Sequence, residues 1–275
     1  MKKFLALSLF SLIPVIAFAW DQRPNSPISE CLDELPFGVP VSTKTNTTLR
    51  CTEGYALLHD NEAKIAVWAG WTITPEESLG CIPRDDGFVA DAAIPQGQRA
   101  EPSDYVKTGY DKGHIVPNAD LSWSKQTMYE SFLMSNMSPQ LPNLNRGVWK
   151  YLETNERSWA WLRKHNITIY AGNIYAVGKS KTIGKNSVVV PDHLYKIVVD
   201  DVTGESMAFT FPQVEKQEID LKARLTSVAA IETLTGVTFP LPPGANKDTI
   251  PTGVWTVDQG ATTAAKKSTC TVKMK

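Results

Sequence analysis

The chain has 275 residues, with 28 Lys and Arg against 29 Asp and Glu, 42% hydrophobic residues and four cysteines. Lys2 and Lys3 precede an apolar run from Phe4 to Ile16, and Ala17-Phe18-Ala19 then presents small residues where a signal peptidase reads. That run falls short of the roughly 20 residues a spanning helix needs, and Pro14 interrupts it, so residues 1–19 read as a cleaved export signal, not an anchor.

Loss of Lys2 and Lys3 from the 28 basic residues leaves 26 against 29 acidic ones, a net charge of −3. The mature chain therefore lacks the basic excess that phosphate binding usually shows, and any such role must rest on local positive patches and a metal ion. No other segment is apolar enough to span a bilayer. The expected product is a soluble periplasmic or secreted chain of about 256 residues, enough for one large domain or two small ones.

Cys31, Cys51, Cys81 and Cys270 all follow the signal. An even number in an oxidising compartment points to two disulfides, with three connectivities open. The local pair Cys31–Cys51 is favoured, leaving Cys81–Cys270 to tie the tail back. No C-x-x-C spacing occurs, so zinc and redox readings gain no support.

Residues 20–49, rich in Pro, Ser, Thr and Asn, read as an irregular arm. Tyr55–His59 and Ala63–Trp68 read as two strands joined by the turn Asp60-Asn61-Glu62. Residues 80–110 carry many Gly, Pro and Asp and read as a long, functional loop with short strands. Ser124–Met134 has helical spacing, whereas Asn136–Asn143, with two prolines, reads as a loop. A longer helix is expected from Asn145 to about Lys164, with Val148, Leu152, Trp159 and Leu162 as its core stripe.

Ile167–Ala171, Val188–Val190 and Tyr195–Val199 look like central strands, and Met207–Phe211 is a further candidate. Ile219–Leu234 reads as a helix closing at Gly236, and the last thirty residues show no clear pattern. The expectation is one α+β domain over residues 50–245, its mixed or antiparallel central sheet flanked by helices, with residues 246–275 as a tail packed upon it.

Chemistry centres on histidine, the side chain best suited to proton transfer near neutral pH. His59, His165 and His193 sit in settings that suit structural or exposed roles. His114 differs, because it closes Tyr110-Asp111-Lys112-Gly113-His114, where Gly113 permits close backbone approach or positive φ beside the imidazole. Asp111 is near enough in sequence to accept a hydrogen bond in the same local loop.

In chain order there follow Ser135-Asn136-Met137-Ser138-Pro139-Gln140, Leu144-Asn145-Arg146-Gly147-Val148-Trp149 and Leu152-Glu153. Upstream lie Arg84 with Phe88 and Asp91, then Arg99 before Asp104-Tyr105. Downstream lie Val190-Pro191-Asp192 before Tyr195-Lys196, and Ile231-Glu232 before Thr235-Gly236. Over residues 50–240 this ordered set resembles the DNA/RNA non-specific endonuclease family, which carries a ββα-metal catalytic motif. The central motif departs from the family in one place, where Lys112 stands for an arginine and replaces a bidentate fork by a single mobile charge.

The resemblance implies hydrolysis of DNA and RNA phosphodiester bonds to 5′-phosphate ends. It implies His114 as general base, Asn145 as the one direct protein ligand of Mg²⁺, with Mn²⁺ able to substitute, and Glu153 acting through metal-bound water. Eight residues separate Asn145 from Glu153, about 12 Å along a helix axis, which suits that indirect role. Arg84 is implied as a clamp on transition-state phosphate, and Asn136 as a holder of the catalytic loop or of the phosphate. Asp111, Lys112 and Arg146 are expected to contact substrate. Lys150 and Arg157 on the same helix, with Lys179, Lys181 and Lys185, are further candidates for backbone phosphates.

Two other classes find less support in the sequence. A serine or zinc hydrolase finds no G-x-S-x-G or H-E-x-x-H in the chain. A catalytically weak nuclease fold kept for binding nucleic acid or a partner would not require His114, Asn145 and Glu153 together. Strand preference, oligomeric state and any inhibitor partner are not legible from the sequence.

Overall fold

The computed structural model describes residues 25–176 and 178–273, so the expected export signal at residues 1–19 lies outside the described residues. The central element is a seven-stranded sheet. In chain order its strands are β1 (Thr47–Cys51), β2 (Ala56–Asp60), β3 (Ile65–Ile73), β6 (Ile167–Ile174), β7 (His193–Asp200), β8 (Ser206–Pro212) and β9 (Leu225–Thr226). A separate two-stranded ribbon pairs β4 (Asp111–His114) with β5 (Met137–Gln140). The helices are α1 (Lys125–Ser131), α2 (Lys150–Arg163), α3 (Val228–Thr235) and α4 (Gln259–Lys273).

The sheet order is β9-β8-β7-β6-β3-β2-β1, and every neighbouring pair is antiparallel. Both faces are covered. One core packs Trp71, Ile169, Val198 and Phe209 against Val148, Trp149, Leu152 and Trp159 around α2. The other packs Trp68, Tyr170, Tyr195 and Ile197 against Val228, Ile231 and Phe239 around α3. Central strands are therefore buried on both sides, which is why they read as continuous apolar runs instead of alternating ones.

The expected hairpin is present as β2 and β3. Asp60 closes it by accepting from the backbone N–H groups of Glu62 and Ala63, each at 2.9 Å. Ser124 caps α1 by accepting from Thr127 N at 3.0 Å. Residues 80–110 remain largely irregular, with a short helical turn at Pro102–Tyr105.

Several expectations need correction. Asn136–Asn143 is not a loop throughout, because Met137–Gln140 is β5 and pairs with the segment ending at His114. Pro139 is tolerated there because the ribbon has only two strands, so a missing donor can face away from the partner. Leu162 leaves the core stripe of α2 and is 39% exposed, since ten residues beyond Leu152 the helix has turned about 80° away. Val188–Val189 pairs with Thr182–Ile183 in a small ribbon and stays outside the central sheet.

The helix expected over Ile219–Leu234 starts only at Val228. Ser227 caps it by accepting from Ala230 N, and Gly236 ends it in the left-handed region as expected. The arm at residues 20–49 contributes the first residues of β1, at Thr47–Leu49. The patternless tail contains a four-turn helix, α4.

Both favoured disulfides form, Cys31–Cys51 and Cys81–Cys270. The second fastens α4 to the segment that leads into Arg84. Among the described residues no helix is long and apolar enough to cross a membrane.

Candidate active site

The ribbon β4–β5 and helix α2 form a ββα unit, and His114 ends β4 opposite Met137. Gly113 has no side chain because that of Gln140 lies where a Cβ would stand; of the two freedoms glycine offers, this site uses close approach. Gln140 in turn donates from Nε2 to the carbonyl oxygen of His114 at 3.4 Å. Trp149, at the mouth of α2, donates its indole N–H to the same oxygen at 3.1 Å.

Asn136 fixes the chain that follows. Its Oδ1 accepts from Val116 N, and its Nδ2 donates to the carbonyls of Val116 and Ser131, each at 2.9 Å. Asn136 is fully buried, its hydrogen bonds tie the chain after His114 to the end of α1, and it does not line the cavity described next.

A cavity of about 550 Å³ opens beside His114. One wall carries Asp111, Asn145 and Arg146, another Lys150, Glu153 and Arg157, and a third Arg84, Phe88 and Asn118. Asn145 and Arg146 reach it from a wide helical turn, Leu144–Trp149, opened at Gly147 (φ −102°, ψ −113°) just before α2 becomes regular.

Asp111 organises that wall. It accepts from Asn145 Nδ2 at 2.9 Å and from Arg146 Nε and Nη2 at 2.8 and 2.6 Å. Burial works against its charge, but these bonds outweigh it and hold the carboxyl below the ordinary range. Asn145 lines the cavity with its amide nitrogen committed to Asp111.

Opposite, Arg84 donates to Asp86 at 2.7 Å and to Asn118 at 2.8 Å, with its guanidinium over the Phe132 ring. Lys112 holds its ammonium 4.9 Å from the centre of the Phe88 ring.

His114 is 8% exposed, wedged edge-to-face against Phe132 at 5.0 Å and tilted against Phe88. Burial, reinforced by the charge of Arg84, pulls its pKa down to about 3, so the imidazole is neutral across the physiological range. Its Nε2 is sealed from solvent and has no partner. Glu153 is half-buried on α2, and desolvation together with Asp120 and Glu156 pushes its carboxyl up to about 7, against the pull of Lys196 and Arg157.

Beneath the cavity lies a buried charged layer that sequence reasoning missed. Lys196 on β7 and Glu156 on α2 are both fully buried and pair at 2.9 Å, with the Lys196 ammonium 4.5 Å from the Trp149 ring and 5.4 Å from that of Trp71. Trp71 donates to Asp120 at 3.0 Å, and Asp120 pairs with Arg157 at 2.7 Å. The only sequence signal was the place of Lys196 in the Tyr195-Lys196 match, which by itself assigned no role.

Arg84, Asp111, Lys112, His114, Asn145, Arg146 and Glu153 thus share one cavity, as do Lys150 and Arg157. Lys179, Lys181 and Lys185 do not line it; Lys181 sits over the ring of Tyr110 at 5.0 Å. The other histidines lie elsewhere: His59 is buried against the carbonyl of Gln98, His165 pairs with Asp200, and His193 is exposed at the start of β7. Among the described residues no three or more His, Cys, Asp or Glu side chains cluster as a metal cage.

A profile of the DNA/RNA non-specific endonuclease family matches residues 36–248. Human mitochondrial endonuclease G is 31% identical over 205 residues, covering 70% of this chain and 69% of its own length. A nuclease of a Nostoc species is 33% identical over 212 residues, covering 73% and 76%. Among solved structures, a chain of the crystal structure of the EndoG/EndoGI complex superposes with a TM-score of 0.68 at 23% identity. It covers 78% of this chain and 93% of that one. The chain belongs to the DNA/RNA non-specific endonuclease family and is a nucleic-acid phosphodiesterase.

Proposed function

We propose that this protein is an exported, Mg²⁺-dependent endonuclease that hydrolyses DNA and RNA without sequence preference, with His114 as the general base. One arrangement carries this: a neutral imidazole faces the same cavity as an amide oxygen, a carboxylate and an arginine. Two disulfides suit an oxidising compartment.

The residues fit a hard divalent cation. Asn145 offers a carbonyl oxygen whose orientation Asp111 enforces, and Glu153 offers carboxylate oxygens on the adjoining helix face. A sparse set of oxygen donors suits Mg²⁺, which keeps most of its waters. Bound there, the ion would neutralise charge developing on the phosphoryl and leaving oxygens.

His114 then has one task. Its Nε2 is sealed among aromatic rings without a hydrogen-bond partner, which favours Nδ1 as the nitrogen that takes a proton from the attacking water. A substrate phosphate beside the ring adds negative charge and makes that transfer easier. The Trp149 and Gln140 bonds to the His114 carbonyl hold the base in register with α2. Arg84 is the preorganised donor for the equatorial phosphate oxygens. Lys112, Arg146, Lys150 and Arg157 supply the local positive surface that the whole-chain charge lacks.

The test is degradation of plasmid DNA and of RNA with Mg²⁺ and with a chelator. Cleavage should require the metal, and His114→Ala should abolish it while DNA binding persists. Cleavage retained in His114→Ala would overturn the assignment.

A further inference from the structure

Cations seated on aromatic rings follow one another along the wall of the cavity and out of it. Arg84 lies over Phe132 at 5.1 Å, Lys112 over Phe88 at 4.9 Å and Lys181 over Tyr110 at 5.0 Å. His114 joins the first two pairs, because its ring meets Phe132 at 5.0 Å and Phe88 at 5.8 Å. Tyr110 immediately precedes β4, and strand alternation puts its side chain on the face that carries Lys112 and His114. Phe88 and Tyr110 also pack on one apolar cluster, which holds Met137 of β5 and buries Ile183. Ile183 lies two residues after Lys181, so the cluster brings that lysine beside Tyr110.

Lys181 is exposed, and its Nζ reaches the Tyr110 hydroxyl at 3.5 Å. Its backbone is fixed, since its carbonyl oxygen accepts from Val190 N at 2.7 Å. Among the described residues neither Lys112 nor Lys181 pairs with a carboxylate, whereas Arg84, Arg146 and Arg157 each do. A ring face fixes the place of an ammonium without using up its N–H donors, so these stay free for an anion. Lys179 and Lys185 are exposed as well but rest on no ring.

We propose that one strand of the substrate leaves the cavity along this face, and that Lys181, seated on Tyr110, takes a backbone phosphate outside the scissile position. This rests on the endonuclease function proposed above and extends the substrate surface beyond the residues that line the cavity. Four residues separate Tyr110 from His114, about 13 Å in an extended strand. One strand of a duplex carries a phosphate per about 3.4 Å of axis, so the phosphate on Lys181 lies a few nucleotides from the cut. A contact of this kind positions the strand without reading its bases, which suits cleavage without sequence preference.

Counterion release gives a direct readout. Binding of a duplex of about 30 base pairs would be followed by fluorescence anisotropy in chelator, so that nothing is cut, from roughly 0.05 to 0.3 M salt. Lys181→Gln should lower the slope of log affinity against log salt by about 0.9, the share of one phosphate, and Lys181→Arg should restore it. Lys267→Gln, exposed on α4 and away from the cavity lining, removes the same charge and should leave the slope unchanged. An unchanged slope in Lys181→Gln, or an equal loss in Lys267→Gln, would overturn the proposal. Failure of the endonuclease reading would show separately, as a wild-type protein that binds but does not cut when Mg²⁺ is added.

Discussion

Trp149 donates its indole N–H to the carbonyl oxygen of His114 across 3.1 Å, and its ring also carries the ammonium of Lys196 at 4.5 Å. One side chain therefore couples the strand bearing His114, the helix bearing Glu153 and the buried charge beneath both. A small shift of the helix mouth would move the imidazole, because the carbonyl it grips belongs to the same residue.

Trp149→Phe keeps an aromatic ring but removes the donor. The expected result is a kcat lower by roughly tenfold with little change in KM, since the proposed base His114 is displaced while phosphate contacts remain. Stability should fall by about 1 kcal/mol for the lost bond. Steady-state kinetics on plasmid DNA with a denaturant titration would check it. An unchanged kcat would show that the bond serves only the fold.

Asp111→Ala frees the Asn145 amide and the Arg146 guanidinium together. Loss of a partner that orients a ligand typically costs about 10–100-fold in metal affinity, so the Mg²⁺ concentration for half-maximal cleavage should rise by about that factor. Arg146→Ala, which leaves the Asn145 bond intact, should shift it far less. Equal shifts in the two variants would remove the orienting role assigned to Asp111.

The proposed role of Glu153 predicts an acid limb. Its folded pKa is raised to about 7, above the ordinary carboxylate range, so the neutral form gains as pH falls through that value. If the anion is the active form, cleavage declines on acidification below about pH 7. A divalent cation favours the anion, so raising Mg²⁺ should move the limb to lower pH. Rate profiles at two Mg²⁺ concentrations would show this, and an acid limb insensitive to the metal would exclude Glu153 as its source.

The Lys196–Glu156 pair lends itself to a double-mutant cycle. Lys196→Met leaves Glu156 buried without its cation and should cost about 3–5 kcal/mol, whereas adding Glu156→Met should recover most of that stability. Denaturant unfolding of the single and double variants would decide it. Additive losses would mean that the two side chains contribute separately.

How much was legible beforehand follows from how local each signal is. The β2–β3 hairpin, Ser124 before α1 and Gly236 after α3 are written within a few residues, by turn and cap chemistry that needs no distant partner. Strand β5 was hidden because Pro139 and its neighbours carry loop composition, and only pairing with β4 makes them a strand. Helix α4 was hidden because its anchoring face of Thr, Ala, Lys and Cys is not apolar enough to mark a helix. What fastens it are a disulfide to Cys81 and a hydrogen bond to Asn155.

The sequence by itself determined the family, the order of the site residues and the α+β class, because motif spacing and strand composition are properties of the chain alone. It also held all of Arg84, His114, Asn145 and Glu153. Tertiary structure alone decided that Asp111 takes the amide nitrogen of Asn145, that Asn136 is buried against Val116 and Ser131, and that Lys196 lies buried under α2. These outcomes turn on desolvation and hydrogen-bond direction between residues 20 to 40 positions apart, such as Asn145 with Asp111, Asn136 with Val116 and Lys196 with Glu156, and such pairings exist only once the sheet and α2 have closed on each other.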